Sequence, residues 1–349
     1  MNKIIEPTKT KLTNQTNNSG IFDFEKESVE NISNFVKKTD EVKTGFRFID
    51  LFAGIGGFRL ALDNLGGNCV YTSEWDKYAQ ITYKANFGGK VDGDITKVNE
   101  KTIPEHDILC GGFPCQAFSI SGKQKGFADT RGTLFFDIVR IVESHKPKIL
   151  FLENVRNFAK HDNGKTLNVV VETLEDLGYD VKYEVLNASF YGAPTSRERI
   201  YIIGVRKDLN KSSFVFPIPS HKPITLLDIL ENQVDSKYSV KRTDIEIDET
   251  DEDDQSQAII PFPKLKPIRI GSIGKGGQGE RIYSPRGHAI TLSAYGGGAA
   301  SKTGAYLIDG KIRKLTPREC ARVMGFPDSY KIPVTDSQRS EERRVGKEC

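Results

Sequence analysis

The sequence lacks any long apolar run. None of its 349 residues lies in an uninterrupted apolar stretch of the roughly 18 residues that a membrane-spanning helix needs, and its first residues show no secretory-signal pattern. These absences argue against a membrane-spanning or exported protein, so we predict a soluble, cytoplasmic one. The chain is long enough to bury a full core and to divide into two lobes.

Cysteine is sparse and scattered. The five cysteines are Cys69, Cys110, Cys115, Cys320 and Cys349, and they form no C-x-x-C pair and no cluster with histidine. A structural zinc site or a disulfide framework needs such spacing, so neither is predicted and no metal is expected.

A strong excess of one charge is absent too, since 50 Lys and Arg against 47 Asp and Glu give a net charge of only +3. The distribution is uneven, however. Residues 244–254 contain eight acids and no base, which is typical of a linker or surface loop. Residues 255–316 contain ten Lys or Arg, two acids and eleven glycines, which fits a nucleic-acid contact surface or an ordinary basic surface equally well.

The middle of the chain alternates predicted strands and helices. This alternation predicts an α/β fold with a doubly wound, mostly parallel, Rossmann-like sheet, and the last two strands are close enough to form a hairpin at one edge. The predicted strands are Phe46–Leu51, Cys69–Ser73, Asp107–Gly111, Lys148–Glu153, Tyr179–Leu186 and Arg199–Arg206, and the predicted helices are Phe58–Leu65, Asp76–Phe87, Leu134–His145 and Lys165–Leu177.

The two ends of the chain differ from this middle part. Polar residues dominate 1–43, so we predict a disordered extension with one short helix at Phe24–Phe35. After Phe214, short strands with Gly and Pro turns predict a small β-rich lobe. A last helix should begin at Thr316, with Pro317 and Glu319 completing a capping box, and end near Gly325. The predicted divisions are 1–43, 44–213, 214–313, 314–338, which returns to the first domain, and 339–349.

A candidate nucleophile follows a predicted strand. The segment GGFPCQ at 111–116 holds Cys115 after a proline in a polar stretch, and Glu153 follows 38 residues later, at the end of another strand. A thiolate is a strong nucleophile, and this arrangement suggests attack on a DNA base rotated out of the duplex. Cys110, in an apolar run, fits a buried side chain, and Glu153 by itself fits a surface carboxylate equally well.

A glycine-rich loop, DLFAGIGG at 50–57, lies between the first strand and helix, where glycine allows a tight turn and close approach to a ligand. Such a loop alone fits a nucleotide site or a plain turn. Glu74 could bind ribose hydroxyls, Trp75 could pack on adenine, and Asp94 could accept from an exocyclic amine. Because no phosphate-binding lysine follows the glycines, S-adenosylmethionine fits better than ATP or NAD.

Taken in order, the motifs resemble those of the C5-cytosine DNA methyltransferases from Phe46 to Gln338. They are FIDLFAGIGGF, EWD, GDI, GGFPCQAFS, ENV, RER and KLTPRECARVMGFPD. The resemblance implies methyl transfer from S-adenosylmethionine to cytosine C5 in double-stranded DNA by a monomer. FPCQAFSISGKQKGF, KGGQGERIYS, TLSAYGGG and KTGAYL are most similar to the type that methylates the inner cytosine of GCGC in restriction-modification systems, where a cognate endonuclease would act without binding this chain.

The resemblance also implies roles for single residues. Cys115 would attack C6 of the flipped cytosine, Glu153 would hold its N3 and amine, and Arg199, with Arg197 nearby, would contact its oxygen. The implied cofactor residues are Phe52, Ala53, Gly54, Gly56, Gly57, Glu74, Trp75, Asp94, Ile95 and Pro114. The implied DNA-contact residues are Ser119, Ser121, Lys123, Gln278, Arg281 and Tyr295, of which Ser121 and Gln278 would fill the vacated space and Arg281 would read guanine.

Non-functional interpretations remain open for some of these residues. Arg197 and Arg199 could form ion pairs at a strand edge, and Gln278 could be an ordinary loop residue.

The chain departs from the family twice. Thr195 stands where a glutamine is usual, and residues 339–349, RSEERRVGKEC, stand where the family continues to a closing helix. Our hypothesis is that the gene was truncated during assembly and that these eleven residues translate a sequencing adapter. We therefore expect a non-biological tail, and the alternative function is a truncated, catalytically impaired DNA-binding relative. An RNA cytosine methyltransferase is a third, less favoured hypothesis.

Overall fold

The computed structural model describes residues 45–114, 134–209, 214–219, 224–248, 266–292 and 298–335. The predicted extension with its helix at Phe24–Phe35 and the tail at 339–349 lie outside these ranges. Within them, none of the helices has the length and apolar character that crossing a bilayer requires.

Six strands form the main sheet, in the order β2-β1-β3-β4-β6-β5. β1 to β4 are parallel, and β6 runs antiparallel to both β4 and β5. The predicted fold class and edge hairpin are therefore confirmed, with element ends within two residues of the prediction. The strands are β1 Arg47–Leu51, β2 Asn68–Ser73, β3 Ile108–Gly112, β4 Ile149–Val155, β5 Tyr179–Asn187 and β6 Glu198–Arg206, and the helices are α1 Gly57–Asn64, α2 Lys77–Phe87, α3 Leu134–His145 and α4 Lys165–Asp176.

The largest core cluster joins this sheet to α3 and α4. Leu150 and Leu152 alternate along β4 and are fully buried, as is Val170 of α4. The apolar residues of α3 recur at helical spacing and face the same cluster, among them Phe135 and Ile138. This packing fixes the carboxyl ends of the parallel strands at one edge, where ligands bind in open α/β sheets.

A second sheet has five strands in the order β11-β10-β9-β8-β7. Residues 244–254, predicted as a linker or loop, contribute the edge strand β7, because Ile245 packs against the core of this sheet while its acidic neighbours face outward. The remaining strands belong to the basic, glycine-rich part of the chain. The bounds are β7 Ile245–Ile247, β8 Ile268–Ile273, β9 Arg281–Ser284, β10 Ala305–Ile308 and β11 Lys311–Lys314.

The last described helix, α5 (Pro317–Val323), has the predicted capping box. The Glu319 amide donates to the Thr316 hydroxyl at 3.1 Å, and the Thr316 amide donates to the Glu319 carboxylate at 2.8 Å. Glu319 also accepts two hydrogen bonds, of 2.8 and 2.7 Å, from Arg313 at the end of the second sheet. α5 is thereby fixed to β11.

Candidate active site

The glycine loop after β1 adopts backbone conformations that only some residues tolerate. Phe52, Gly54 and Gly56 have φ of +54°, +54° and +89°. A Cβ at Gly56 would lie 2.3 Å from the ring of Phe87, whereas one at Gly57 would meet nothing within 4 Å. Positive φ at a non-glycine residue costs energy, and such strain persists where surrounding contacts impose it, often at ligand sites.

Glu74, at the end of β2, holds this loop in place. Its side chain is buried, and one carboxylate oxygen accepts from the Gly54 amide at 2.7 Å while the other accepts from the Asp76 amide at 2.8 Å. Burial raises the pKa of Glu74, and the two backbone amides oppose that rise. A carboxylate has about four acceptor sites, so these two bonds do not use its full accepting capacity. The sequence led to the prediction that Glu74 binds a ribose, but not to the prediction that it holds the glycine loop in place.

The predicted purine-binding residues lie next to Glu74. The Glu74 amide donates to the Asp92 carbonyl at 2.9 Å, which brings the segment containing Asp94 beside the end of β2. Trp75 is 72 % exposed, so its ring is available for stacking. Asp94 begins a 3₁₀ turn, and its carboxylate accepts from the Thr96 hydroxyl at 2.8 Å, a bond that lowers the pKa of Asp94.

Two further predicted cofactor residues differ in exposure: Ile95 is buried in the main core, and Pro114, just beyond the end of β3, is partly buried. Ala53, between Phe52 and Gly54, is also buried. All the predicted cofactor residues are therefore in the described part of the chain, and they lie in segments that follow β1, β2 and β3.

Glu153 and Arg199 form an ion pair at the same edge of the sheet. Arg199 Nε lies 2.8 Å from Glu153 Oε1, and the two side chains are only 12 % and 14 % exposed. Glu153 is therefore not a surface carboxylate. Burial, together with the neighbouring charge of Arg197, lowers the pKa of Arg199 to about 10, so its guanidinium is still charged near neutral pH.

Cys115 lies outside the described residues, but the chain that leads to it is defined. Gly112, the last residue of β3, is the lateral partner of Glu153. The next residue, Phe113, is buried, and its carbonyl accepts a 2.9 Å hydrogen bond from the side-chain amide of Asn154. The chain segment that leads to Cys115 is thus held beside Glu153. The predicted Ser119, Ser121, Lys123 and Tyr295 are also outside the described residues.

The two remaining predicted DNA-contact residues lie in the second sheet and its turns. Gln278 is exposed in a 3₁₀ turn, and Arg281 begins β9, partly buried. In the described part of the chain, the buried Nε of Arg281 has no hydrogen-bond partner. A buried polar donor without a partner is uncommon in a folded protein.

The segment before Arg197 joins the two sheets. The Ala289 amide donates to the Pro194 carbonyl at 2.8 Å, and Ser196 Oγ lies 3.1 Å from His288 Nδ1. Thr195, the departure from the expected glutamine, is buried between these contacts, and its hydroxyl has no hydrogen-bond partner within the described ranges. The segment before the RER motif is therefore anchored to the residues that follow β9 by one backbone hydrogen bond and one side-chain contact.

Comparison with known proteins gives the family of the chain. A model of the C-5 cytosine-specific DNA methylases matches residues 46–347. This chain belongs to that family. It is accordingly a DNA cytosine-5 methyltransferase.

Similar proteins cover most of its length. Type II methyltransferase M.HhaI of Haemophilus parahaemolyticus is 59 % identical over 305 residues, which are 86 % of this chain and 89 % of the relative. Type II methyltransferase M.HpaII of Haemophilus parainfluenzae is 47 % identical over 305 residues, which are 84 % of this chain and 83 % of the relative.

Solved structures support the fold alone. The Dnmt2 methyltransferase of S. pombe superposes with a TM-score of 0.61 at 20 % identity, covering 86 % of this chain and 93 % of its own. A putative DNA modification methyltransferase from an E. coli prophage gives 0.60 at 23 % identity, covering 87 % and 94 %.

Proposed function

We propose that this methyltransferase uses S-adenosylmethionine to methylate the inner cytosine of GCGC in duplex DNA, as the modification enzyme of a restriction-modification system. The observation that carries the proposal is the buried ion pair of Glu153 and Arg199. It lies next to the segment Gly112–Phe113, which leads to Cys115. The 59 % identity to M.HhaI supports a role as a type II methyltransferase, and the GCGC target is inferred from the resemblance of KGGQGERIYS and TLSAYGGG.

The residues of the glycine loop fit a nucleoside cofactor. Glu74 would bind the ribose, Trp75 and Ile95 would enclose the adenine, and Asp94 would accept from its amine. The exposed Trp75 ring and the Glu74 carboxylate, which the Gly54 amide fixes beside the glycine loop, are the features that support this fit. When bound, S-adenosylmethionine would supply an electrophilic methyl group.

The proposed chemistry depends on a nucleophile and on charge stabilisation. The Cys115 thiolate would form a bond to C6 of the extruded cytosine, which pushes electron density toward C5 and N3. Glu153, at N3 and the exocyclic amine, and Arg199, at the carbonyl oxygen of the base, would stabilise that charge. After methylation, solvent water would accept the C5 proton, the C5–H electron pair would re-form the C5–C6 double bond, and the C6–S bond would break to release the Cys115 thiolate.

Base extrusion is needed because C6 cannot be reached inside the duplex, and it costs a few kcal/mol of stacking and pairing. Ser121 and Gln278 would occupy the vacated space and offset part of this cost. Arg281, at the start of β9, would read guanine in the major groove.

The test is methyl transfer from labelled S-adenosylmethionine to a duplex containing one GCGC site, with a scrambled duplex as control. Cys115→Ala should abolish transfer, and a GCGC duplex with 5-fluorocytosine at the inner position should trap a covalent complex with the wild type, because fluorine replaces the proton that must leave. DNA binding without transfer would instead favour a catalytically impaired relative. Preferential transfer to RNA in competition with DNA would overturn the proposal that the substrate is DNA.

The target sequence is tested separately by bisulfite sequencing of a plasmid that carries the gene. We expect protected cytosines at the inner position of GCGC sites. Protected cytosines that share another sequence would refute the proposed target while leaving the proposed chemistry intact. Sedimentation of the enzyme with one duplex would test whether it acts as a monomer.

A further inference from the structure

Arg140, on α3, binds the turn that carries two of the predicted cofactor residues. Its side chain is 26 % exposed and reaches across to residues 40 to 45 positions earlier in the chain. Its guanidinium donates to the Ile95 carbonyl at 2.6 Å, the Val98 carbonyl at 2.8 Å, Glu100 Oε2 at 2.9 Å and Asp137 Oδ1 at 3.0 Å.

The bound turn is short, and besides Arg140 it is held by the burial of Ile95 in the main core and by the Gly93 carbonyl, which accepts from Ser73 Oγ at 2.8 Å. Asp94 caps a 3₁₀ turn of only three residues, closed by the Val98 amide donating to the Ile95 carbonyl at 3.1 Å. Asp94 Oδ1 accepts from the Thr96 amide and hydroxyl, while Oδ2 lies 3.7 Å from Lys97 Nζ; the Asp94 side chain is 37 % exposed and that of Lys97 81 %. Because this lysine is so exposed, the orientation of Oδ2 depends mainly on how firmly the turn itself is held.

α3 is a firm support for the turn. Phe135, Ile138 and Ile141 are buried in the main core, so the helix that carries Arg140 cannot shift without disturbing the sheet. Arginine suits this link because its planar fork can serve several acceptors at fixed angles, which a lysine ammonium cannot.

We propose that Arg140 is a positioning residue that sets the purine specificity of the cofactor site by fixing the Asp94 turn on α3. The proposal rests on the proposed use of S-adenosylmethionine. With the turn fixed, the Asp94 carboxylate accepts from the amine of adenine and repels the carbonyl that hypoxanthine carries at the same position. Without Arg140, the orientation of the Asp94 carboxylate is no longer fixed, and the preference for adenine over hypoxanthine falls.

The test compares two ligands that differ only at that position of the base. S-adenosylhomocysteine and S-inosylhomocysteine are titrated calorimetrically into the wild type, Arg140→Met and Arg140→Lys, without DNA. The matched control is Arg206→Met. Arg206 is 27 % exposed and donates to Asp208 at 2.7 Å and to the Lys146 carbonyl, but it lies at the opposite edge of the sheet.

We expect the wild type and Arg206→Met to prefer the adenosyl ligand equally. Because a hydrogen bond to a charged group contributes about 1.5–3 kcal/mol, Arg140→Met should lose about tenfold or more of its adenosyl affinity and little of its inosyl affinity. Arg140→Lys keeps the positive charge but lacks the planar guanidinium, so its preference for the adenosyl ligand should also fall. If Arg140→Met does not fold, Arg140→Lys alone tests the proposal.

An unchanged preference in both Arg140 variants would overturn the proposal. So would an equal loss of affinity for both ligands together with a lower melting temperature, because that result describes a structural role alone. If the wild type binds neither ligand, the proposed function itself fails, and this outcome is distinct from a wild type that binds both ligands without Arg140 affecting the choice.

Discussion

The side-chain amide of Asn154 donates a 2.9 Å hydrogen bond to the carbonyl of Phe113, and both groups are buried. Asn154 follows Glu153 at the end of β4, and Phe113 is two residues before Cys115. This one bond therefore holds the end of the described chain before Cys115 beside the strand that carries Glu153.

Asn154→Ala should impair catalysis more than stability. An unsatisfied buried carbonyl costs about 1–3 kcal/mol, whereas a shift of about 1 Å in a reacting group can cost about 100-fold in rate. We expect kcat to fall by about 10- to 100-fold with little change in the KM for S-adenosylmethionine, measured by steady-state methyl transfer. Asn99→Ala, which removes only a local turn contact to Lys101, is the control. Equal kcat in the two variants would contradict the prediction.

Gly56 and Gly57 should differ sharply in their tolerance of alanine. Gly56→Ala places a Cβ 2.3 Å from the ring of Phe87 at a φ of +89°, so it should displace the loop and reduce cofactor affinity by about tenfold or more. Gly57→Ala meets open space at the first position of α1 and should be neutral, or stabilising by about 0.5–1 kcal/mol. Calorimetric titration with S-adenosylhomocysteine measures the first effect, and thermal unfolding the second. A similar affinity loss in both variants would show that the Phe87 contact is not the cause.

The order of the elements was predictable because each has a local signal. Alternating apolar runs gave all six strands of the main sheet, and the capping box at Thr316 and Glu319 gave the start of the last helix. The glycine loop and the acidic residues after β2 were predictable in the same way, because chemistry at the carboxyl edge of a parallel sheet leaves short motifs.

Contacts between distant residues were not predictable from such signals. Nothing local in the sequence shows that Glu74 accepts from the Gly54 amide or that Arg140 binds the Ile95 carbonyl. β7 was not predicted either, because it lies in the acidic segment. Ile245 gains its strand conformation from pairing with β8 and from burial rather than from local composition.

Glu153→Gln should affect both stability and activity, because it removes the charge that faces Arg199. Breaking a mostly buried pair leaves an uncompensated charge, which costs about 3 kcal/mol, and kcat should fall by at least about 100-fold. The control is Glu198→Gln, which breaks the more exposed pair with Arg156 and should cost about 1 kcal/mol or less. Urea unfolding and methyl transfer measure the two effects, and a stability loss no larger than that of the control would contradict the burial argument.

Tyr330→Phe should weaken cofactor binding from the other side of the glycine loop. The Tyr330 hydroxyl donates to the Ile55 carbonyl, while its ring packs on Phe326 and keeps that contact in the variant. We expect the affinity for S-adenosylhomocysteine to fall by about three- to tenfold, since a lost hydrogen bond costs about 1 kcal/mol. Tyr179→Phe is the control, because it removes a 2.7 Å bond to the Pro147 carbonyl at the opposite edge of the sheet. Equal affinity losses in the two variants would rule out a specific effect on the loop.

His106 should make the protein less stable in mild acid. Burial lowers the pKa of His106 to about 4, so its folded form stays neutral over a range of pH in which an unfolded imidazole becomes charged. Between about pH 6.5 and pH 4 the unfolded state therefore binds more protons, and stability falls as the pH drops, by about 3 kcal/mol at most. His106→Gln can keep a polar contact to the Pro104 carbonyl and should flatten this part of the curve, while its stability at pH 8 stays close to that of the wild type. Urea unfolding at pH 8, 6.5, 5.5 and 4.5 measures both curves, and parallel curves would show that another group causes the acid sensitivity.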